Sequence, residues 1–552
     1  MEQARILIAI ALSFLVFLTW ELFFTEKKPV VQKAQDIVQS ETSRGVDNSP
    51  VKENTPTVQK AGSDQKADTP VLPPRTIMVD TPLYQVKISE KGAVFTSFLL
   101  KKYKDSMRAD SPLLQMVESN LTGGAVQVSF VKHNRVDGAS PYIASGLKDD
   151  HIRVMAAPEE LTFVSRTDGG IIVEKRFTFR PDTYLVDLLV TVKNKSAVAY
   201  EDNLIISLPA KLPKKDAASY GFVGPAAYID NHLEQIKIKN IKEKNLFSGK
   251  VDWIAYLDRY FISAVVPESQ ENAMLRLILE DETVVVNQYL QPTAIYQPGT
   301  TRTYAYSLYF GPKSASILKS LNRGLEKAVN FGWFDIVAKP CLWLMNRIHG
   351  IVPNYGVAII LLTILIKIIL WPLGSKSYKS MNEMKKIQPL MAEIREKYKD
   401  DKKTMNQEVM GLYRTYKINP MGGCLPMIVQ IPVFIALYRM LYEAIELRHA
   451  PFFGWINDLS APDRLFRFDF AIPFMQEPYG IPVLTLIMGA TMFLQQKMSP
   501  PMGDPAQAKM MLLMPVIFTF IFINFSSGLV LYWLVSNVLS ILQQYYIQKR
   551  FA

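Results

Sequence analysis

Six runs of apolar residues occur along the chain, and the first is separated from the others by a long polar region. The runs cover residues 6–24, 353–374, 421–442, 480–498, 509–525 and 527–547. Most come close to the roughly 20 residues that a helix needs to cross the hydrocarbon core of a bilayer. The pattern predicts a multi-pass α-helical membrane protein with six spans.

The first apolar run follows a short head that contains Arg5 and has the character of a secretory signal or of a membrane anchor. No small-x-small cleavage site follows it, because the run ends in bulky residues between Trp20 and Phe24. We therefore expect residues 1–26 to be an uncleaved transmembrane anchor. Residues 27–76 contain no aromatic side chain and are rich in polar residues and proline, which predicts a flexible polar linker.

The polar region from residue 77 to residue 312 alternates apolar and polar positions with a period of two. The alternation is clear in residues 84–90, 171–180, 184–193 and 301–310, and Gly, Pro, Asn and Asp punctuate the gaps. Many short strands without regular intervening helices are typical of an antiparallel sandwich. The sequence predicts a large antiparallel β-sandwich domain here.

Residues 313–350 change to a helical spacing of apolar positions. Basic residues and three aromatic side chains, Phe331, Trp333 and Phe334, accompany this spacing. These features are typical of an amphipathic helix in the headgroup plane. We predict one interfacial helix over this segment, followed by a five-helix core over residues 351–552.

The charges of the connecting loops predict the orientation of the chain. Residues 375–420 contain eleven Lys and Arg against six acidic residues, whereas residues 446–478 contain three against five. The positive-inside rule places the first segment in the cytoplasm and the second outside. With six spans, both termini are then cytoplasmic and the β domain is extracytoplasmic.

The cytoplasmic segment 375–420 has two helical runs of apolar residues, many of them methionine. Pro389 and the charge cluster from Tyr398 to Thr404 interrupt the register, so two antiparallel helices are predicted. A face rich in methionine adapts to varied partners. Ordinary packing between the two helices explains it equally well, and the sequence leaves both interpretations open.

Composition narrows the classes of function. The chain has 552 residues, 49% of them hydrophobic, and a formal net charge of +11. In a membrane protein a basic excess marks cytoplasmic loops, so we expect no direct nucleic-acid substrate. Its two cysteines, Cys341 and Cys424, lie in or beside apolar runs and form no disulfide framework. Phosphate loops, HExxH and GxSxG motifs are absent from the sequence, so we expect neither an enzyme nor a cofactor or metal site.

Lys367 is the residue with the clearest chemical meaning, because it lies inside the apolar run 355–373. A cation near the bilayer centre costs about 2.5–3.5 kcal/mol on insertion scales, so its presence indicates function. Thr363 lies one turn earlier on the same helix face. The lysine either extends toward the membrane surface or faces a wet interior cavity, and its position alone does not decide between these.

Other apolar runs carry polar residues at helical spacing. Trp533, Asn537, Ser540 and Gln544 follow one face of the last run, and Gln430 lies inside the third. Hydrogen bonds between helices explain any one of these residues. Polar stripes on several helices together favour a shared polar groove with Lys367.

Several segments resemble the YidC/Oxa-type membrane protein insertases of bacteria. The resemblance lies in residues 419–441, 450–463, 493–500, 514–520 and 526–544, and it runs in register from Tyr355 to the end. The order of anchor, linker and β domain is similar to that of the Gram-negative branch of this family.

The resemblance implies an insertase of the cell inner membrane that inserts nascent integral membrane proteins and helps them fold, alone or with the Sec translocon. In the family, an intramembrane cation lies in a hydrophilic groove open to cytoplasm and lipid. This chain has lysine where most members have arginine, which keeps the charge but loses the bidentate fork. The implied groove residues are Lys367, Thr363, Gln430, Trp533 and Asn537.

The resemblance also implies partners. The β domain corresponds to the part that meets SecD/SecF, and membrane lipids surround the spans. The hairpin corresponds to the part that contacts the ribosome and the signal-recognition machinery. Its basic candidates for this contact are Lys385, Lys386, Arg395 and Arg414.

Two other classes of protein fit some of these features. A secondary transporter or channel would use Lys367 to coordinate an anion, and it predicts paired inverted repeats, which residues 353–547 do not show convincingly. A purely structural scaffold would make the groove irrelevant.

Overall fold

The structure is a computed structural model that describes residues 74–551. It omits 109, 119, 120, 122, 133–139, 148, 168, 213–220, 270, 281, 417–424 and 499–504. The predicted anchor at 1–26 and the linker up to residue 73 therefore lie outside the described residues.

Two principal sheets form the β domain. The smaller sheet contains β1 (Thr76–Asp80), β2 (Tyr84–Ser89), β3 (Val94–Lys104), β4 (Leu113–Val117) and β7 (His151–Arg153). The larger sheet contains β5 (Gln127–Phe130), β6 (Ile143–Ser145), β8 (Glu159–Arg166), β9 (Ile171–Phe179), β10 (Leu185–Asn194), β12 (Leu204–Lys211), β13 (Gly224–Ile229), β14 (His232–Gln235), β15 (Leu246–Leu257), β16 (Phe261–Pro267), β17 (Asn272–Glu280), β18 (Val284–Leu290) and β20 (Thr301–Pro312). Two small ribbons pair β11 (Tyr200–Asp202) with β19 (Ala294–Tyr296) and β21 (Leu465–Phe468) with β22 (Tyr479–Ile481).

Among the described strands the pairings are antiparallel with one exception. The smaller sheet has the order β4-β3-β2-β1-β7, and β1 pairs with β7 in parallel, with Met78 opposite His151. A parallel pair needs a long crossover connection. The chain between β1 and β7 provides it, because β2 to β4 lie in the smaller sheet and β5 and β6 lie in the larger one. The predicted sandwich is therefore antiparallel except at this edge.

Long strand β15 links two parts of the larger sheet. Residues 246–250 pair with β17, whereas Val251 and the residues after it pair with β13. Strands that change sheets do so at bends or bulges. Gly249 lies at this change, and a Cβ there would come within 2.3 Å of the Asp230 carboxylate, so only glycine fits.

Aromatic residues pack the two sheets face to face. The ring centroids of Phe95 on β3 and Phe177 on β9 are 5.3 Å apart, and those of Phe98 on β3 and Phe310 on β20 are 5.0 Å apart. All four side chains are fully or almost fully buried. Each contributes about 1.5–3 kcal/mol by leaving water, so this layer holds the sandwich together.

Lys175 on β9 lies beside this aromatic layer and is completely buried. Its Nζ donates hydrogen bonds to the carbonyl oxygens of Gly92, at 2.6 Å, and Ala93, at 3.3 Å. The Tyr142 ring lies 5.0 Å from the ammonium. Among the described residues no carboxylate forms an ion pair with it, and burial lowers the pKa of Lys175 to about 7. The hydrogen bonds of this amine hold the turn before β3 against the larger sheet.

Nine α-helices fall within the described residues. They are α1 (Ala315–Ser320), α2 (Asp335–Ile351), α3 (Tyr355–Lys386), α4 (Gln388–Lys397), α5 (Lys402–Thr415), α6 (Leu425–Glu443), α7 (Val483–Met498), α8 (Pro505–Phe522) and α9 (Ser527–Phe551). Helices α3 and α6 to α9 coincide with the five predicted apolar runs. Of the described helices, α3 alone is long and apolar enough to cross a membrane by length and composition, and Met510–Phe522 is a shorter apolar helix.

The prediction of a single helix over residues 313–350 is wrong. The segment contains α1, two short 3-10 turns (Leu325–Ala328 and Gly332–Phe334) and then α2. Asn322 and Gly324 adopt left-handed backbone angles, with φ of 54° and 72°, and a helix cannot continue through them. Exposed apolar side chains occur on α2, at Ile336 and Trp343, so the amphipathic surface is shorter than predicted.

Within the predicted cytoplasmic segment, residues 375–416 form a helical hairpin. Helix α3 continues through it to Lys386, and its residue Met384 packs with Ile387 and Met391 against the Val409 face of α5. The first break falls at Ile387 and not at Pro389, because Pro389 lies in the first turn of α4, where proline is accepted. The methionine side chains at 384 and 391 are used for packing within the hairpin.

Buried polar contacts join the β domain to the end of α6. Lys313, which follows β20, lies 3.6 Å from the carboxylate of Glu443, and their side chains are only 4% and 14% exposed. Arg259 donates a hydrogen bond of 2.8 Å to the carbonyl of Tyr442, and its guanidinium lies 3.6 Å from that ring. We call Arg259, Lys313, Tyr442 and Glu443 the joint.

Further contacts continue past α6 on the same side. The Ser314 hydroxyl donates to the Glu446 carboxylate at 3.1 Å, and burial raises the pKa of Glu446. Arg448 donates to the carbonyl oxygens of Lys104, at 2.7 Å, and Asp105, at 3.0 Å. The β domain and the loop after α6 are thus held by several contacts.

Replacing Lys175 by methionine changes how stability depends on pH. The folded state disfavours the protonated amine, so the unfolded chain binds more protons between pH about 7 and the ordinary lysine value of 10.5. Wild-type stability therefore rises with pH through this window. Relative to the wild type, the free energy of unfolding of Lys175→Met is therefore most favourable at or below pH 7, and this relative value falls by a few kcal/mol toward pH 10, at about 1.4 kcal/mol per pKa unit.

Melting temperatures of the full chain in detergent, measured for both proteins across this pH range, provide the test. A difference that stays constant with pH would show that the Lys175 amine does not titrate there.

Breaking the Lys313–Glu443 pair from either side leaves one buried charge unpaired. Lys313→Met or Glu443→Gln alone is expected to destabilise the chain by about 3–5 kcal/mol, and the double variant by less than the sum. Melting temperatures of the three variants measure this coupling. Strictly additive losses would contradict the pairing.

Candidate functional site in the helical bundle

Helix α3 carries Lys367 to the middle of the bundle. The helix begins after Asn354, whose side chain accepts a hydrogen bond of 3.1 Å from the Val357 amide and caps it. Lys367 lies twelve residues after Tyr355, or about 18 Å along the axis at 1.5 Å per residue. The hydrocarbon core is about 30 Å thick, so the lysine lies well inside it if α3 starts at the boundary.

Lys367 is held by a hydroxyl and not by an acid. Its Nζ donates a hydrogen bond of 2.8 Å to the Ser540 hydroxyl on α9. Ser540 in turn donates to the carbonyl oxygen of Ser536 at 2.8 Å. In the part of the chain that the structure describes, no carboxylate pairs with Lys367. An ammonium has three donors, so two remain for water or for a bound group.

Gln430 extends this arrangement to a third helix. Its amide nitrogen on α6 lies 3.4 Å from the Ser536 hydroxyl, within hydrogen-bond distance. It also interacts with the Tyr532 hydroxyl. Lys367, Ser540, Ser536 and Gln430 therefore connect α3, α9 and α6, and we call these four residues the polar chain.

Polar contacts continue toward the hairpin end of α3. Tyr378 hydrogen-bonds to Ser540 and to Gln495 on α7. Gln543 donates to the carbonyl oxygen of Trp371 at 3.1 Å. Helices α3 and α9 approach closely here because residue 374 is glycine, and a Cβ there would lie 2.8 Å from the Gln543 amide.

Unpartnered amides lie on the same helix as Ser540. The Asn537 nitrogen and both polar atoms of the Gln544 amide are buried and have no hydrogen-bond partner among the described residues. A buried polar atom without a partner costs about 1–3 kcal/mol, and ordered water is the usual remedy. The stripe on α9 thus indicates a hydrated interior.

Two of the predicted groove residues have other contacts. Thr363 is buried and donates a hydrogen bond of 2.6 Å to the Ile359 carbonyl of its own helix. Trp533 packs edge-on against Phe434, with centroids 4.4 Å apart, and against Phe522, at 4.5 Å. The contacts of Trp533 are therefore aromatic, whereas Lys367 and Gln430 belong to the polar chain.

The four basic residues predicted for the hairpin lie on α3, α4 and α5. Lys385, Lys386 and Arg414 are exposed, and Arg395 is half-buried. Their positions leave the predicted role in partner binding open.

Sequence reasoning missed Ser536 and Tyr378. Ser536 lies four residues before Ser540, so the same helical spacing that joined Thr363 to Lys367 would have found it. Tyr378 lay in the predicted cytoplasmic loop, because the apolar run ends near residue 374, whereas α3 continues to Lys386.

The comparisons with known proteins agree along the whole chain. The family model described as 60Kd inner membrane protein matches residues 347–552, and the one described as YidC periplasmic domain matches residues 76–344. A protein named membrane protein insertase YidC from Syntrophus aciditrophicus (strain SB) is 40% identical over 559 residues, with 99% of each chain covered. The protein of the same name from Syntrophobacter fumaroxidans (strain DSM 10017 / MPOB) is 41% identical over 568 residues, covering 99% of this chain and 100% of the relative.

A solved structure described as an active YidC insertase with its first transmembrane domain resolved covers 86% of this chain and 94% of its own. It is 18% identical to this chain with a TM-score of 0.37, so the family assignment rests on the similarity to the sequence relatives. The matches define a class: inner-membrane proteins with a periplasmic β domain. Within that class, the chain belongs to the YidC family of membrane protein insertases.

Family membership confirms the resemblance found in the sequence. The relatives are named insertases and not enzymes, and the alternative of a secondary transporter has no support among them. The periplasmic family model reaches residue 344, beyond the predicted domain end at 312, so it includes α1 and part of α2. The chain is thus an inner-membrane insertase with a periplasmic domain.

Proposed function

We propose that this protein inserts nascent integral membrane proteins into the inner membrane through a hydrophilic groove between α3, α6 and α9, and helps them fold. The observation that carries the proposal is the Lys367 ammonium, whose protein partner is a serine hydroxyl. The unpartnered amides of Asn537 and Gln544 support it, because water or a polar client segment would satisfy them. Thr363 and Trp533 border the groove through their packing contacts.

The Lys367 charge lowers the barrier for a polar client tail. Two unit charges 4 Å apart attract by about 4 kcal/mol at an effective dielectric constant of 20. This is as large as the roughly 2.5–3.5 kcal/mol that insertion scales assign to one intramembrane charge. An acidic tail is therefore drawn part of the way across without any nucleotide.

Hydrophobic burial completes the transfer. Apolar side chains are exposed on the outside of α6, at Ile431, and of α9, at Val538 and Leu542. A client's apolar segment slides along these faces into lipid, where burial releases about 0.8 kcal/mol per CH₂. The groove therefore handles only the polar end of the client.

The proposed topology has six spans with both termini in the cytoplasm. The basic hairpin at 375–420 then lies in the cytoplasm, in keeping with the charges of the loops. Helix α2, with exposed Ile336 and Trp343, lies along the periplasmic membrane surface.

The proposed partners follow from this topology. The Sec translocon, with SecD/SecF, meets the periplasmic side. The ribosome and the signal-recognition machinery meet the hairpin, whose basic residues favour acidic surfaces and RNA backbone. The hairpin residues assigned to this contact are Lys385, Lys386, Arg395 and Arg414.

Reversing the charge of Lys367 tests the electrostatic step. Lys367→Glu is expected to reduce insertion of clients with acidic tails by at least about tenfold, since a repulsion replaces an attraction worth more than about 1.4 kcal/mol. Lys367→Arg keeps the charge and is expected to insert them normally. Insertion into reconstituted vesicles, compared for clients with acidic and neutral tails, is the measurement.

The matched control is Lys549→Glu, which makes the same charge change at an exposed position near the end of α9. Unchanged insertion of acidic-tailed clients by Lys367→Glu would refute the electrostatic step. An equal loss for neutral tails would show a structural defect instead.

Chemical accessibility tests whether the groove is wet. With Cys341 and Cys424 replaced by serine, Lys367→Cys is expected to react with a water-soluble maleimide in vesicles, because thiolate forms only where water reaches. Leu361→Cys, on the same helix and 40% exposed on its apolar surface, is the control and should stay unlabelled. Equal labelling at both positions, or none at 367, argues against a hydrated groove.

A further inference from the structure

The loop between α6 and α7 presents large aromatic side chains outward. Phe466, Phe470 and Phe474 have exposed fractions of 69%, 65% and 86%. Single exposed apolar residues are common, but a group of this size within nine residues marks a surface that contacts something apolar. We call these three residues the phenylalanine patch.

The backbone of the loop is strained at two of these three residues. Phe466 and Phe474 both adopt left-handed angles, with φ of 51° and 65°. Such a conformation costs a bulky L-residue roughly 1–2 kcal/mol. The surrounding structure must supply this free energy, so the fold holds the backbone at these two residues.

Arg464 supplies part of that support. Its side chain is buried, and it donates hydrogen bonds of 2.8 Å to the carbonyl oxygens of Pro478 and Ile523. Asn524 adds a donated bond of 2.9 Å to the Phe474 carbonyl and accepts one of 2.9 Å from the Gln476 amide. These hydrogen bonds hold the loop against the turn between α8 and α9.

The patch continues into the surface of the helical bundle. Leu465 on β21 pairs with Ile481 on β22, and α7 starts two residues later at Val483. Ile481 and, on α7, Leu486 and Ile487 are also exposed. In a membrane protein the exposed apolar face of such a helix is covered by lipid. The patch thus extends a lipid-covered surface at the end of the bundle.

We propose that the phenylalanine patch inserts into the periplasmic leaflet of the bilayer, at the boundary between headgroups and acyl chains. The occupant is phospholipid, since the patch is continuous with a lipid-facing helix and is braced by a turn between two bundle helices. Its neighbours Arg467, Asp469 and Glu477 have mixed charge, so binding is driven by apolar burial. The choice of leaflet rests on the proposed topology.

The test places an environment-sensitive fluorophore on the patch of the full chain. In the background lacking Cys341 and Cys424, Phe474→Cys is labelled with NBD and the protein is reconstituted into phosphatidylethanolamine and phosphatidylglycerol vesicles. Spin-labelled lipids are expected to quench this label at least about twofold more than a label at Ile295→Cys, which lies on the β domain and is 59% exposed. The same quenching measurement at Phe470→Cys tests a second residue of the patch.

Equal quenching at positions 474 and 295 would overturn the proposal. An apolar environment at 474 that appears only after a client is added, without quenching by the spin-labelled lipids, would also overturn it, because the patch would then be a client surface. A membrane-impermeant reductant of NBD reports the side of the bilayer separately. A label buried in lipid but on the cytoplasmic side refutes the topology and leaves lipid insertion standing. Melting temperatures of the labelled variants show that each one is folded.

Discussion

A lysine inside the helical bundle, with no acidic partner among the described residues, is the constraint around which the membrane half is organised. A cation there is costly, so the surrounding helices must provide polar groups or water. Ser540 provides one hydroxyl, and Ser536 and Gln430 extend hydrogen bonding to a third helix. The arrangement of α3, α6 and α9 thus follows from the need to keep one charge solvated at an apolar depth.

The joint connects this arrangement to the periplasmic domain. Glu443 and Tyr442 end α6, the helix that also carries Gln430, and they contact Lys313 and Arg259 of the β domain. Helix α6 therefore carries this buried attachment at its last residue and a polar contact thirteen residues earlier, with Pro432 between them. The β domain is therefore attached to one of the three helices that the polar chain connects.

Periodicity predicted most of the elements, because each depends on a local pattern. The strands within residues 84–90, 171–180, 184–193 and 301–310, the hairpin and the helices of the five apolar runs were found in this way. So was the stripe that brings Ser540 to Lys367. The helix over 313–350 was wrong because left-handed residues at 322 and 324 interrupt an otherwise helical pattern. Trp533 shows a second limit of prediction from periodicity. Its spacing placed it on the polar stripe, but its neighbours Phe434 and Phe522 come from distant segments. Only tertiary packing decides such contacts.

The partner of Lys367 suits the role proposed for this residue, which requires a stable side chain whose charge can still attract clients. A carboxylate at position 540 would satisfy the ammonium more strongly, with an attraction of about 4 kcal/mol at 4 Å. It would also neutralise the field and leave nothing to attract an acidic client tail. A hydroxyl orients the ammonium with one hydrogen bond and leaves its full charge in place. Serine is therefore suited to holding Lys367 in position while its positive field stays available, as the proposed insertion mechanism requires.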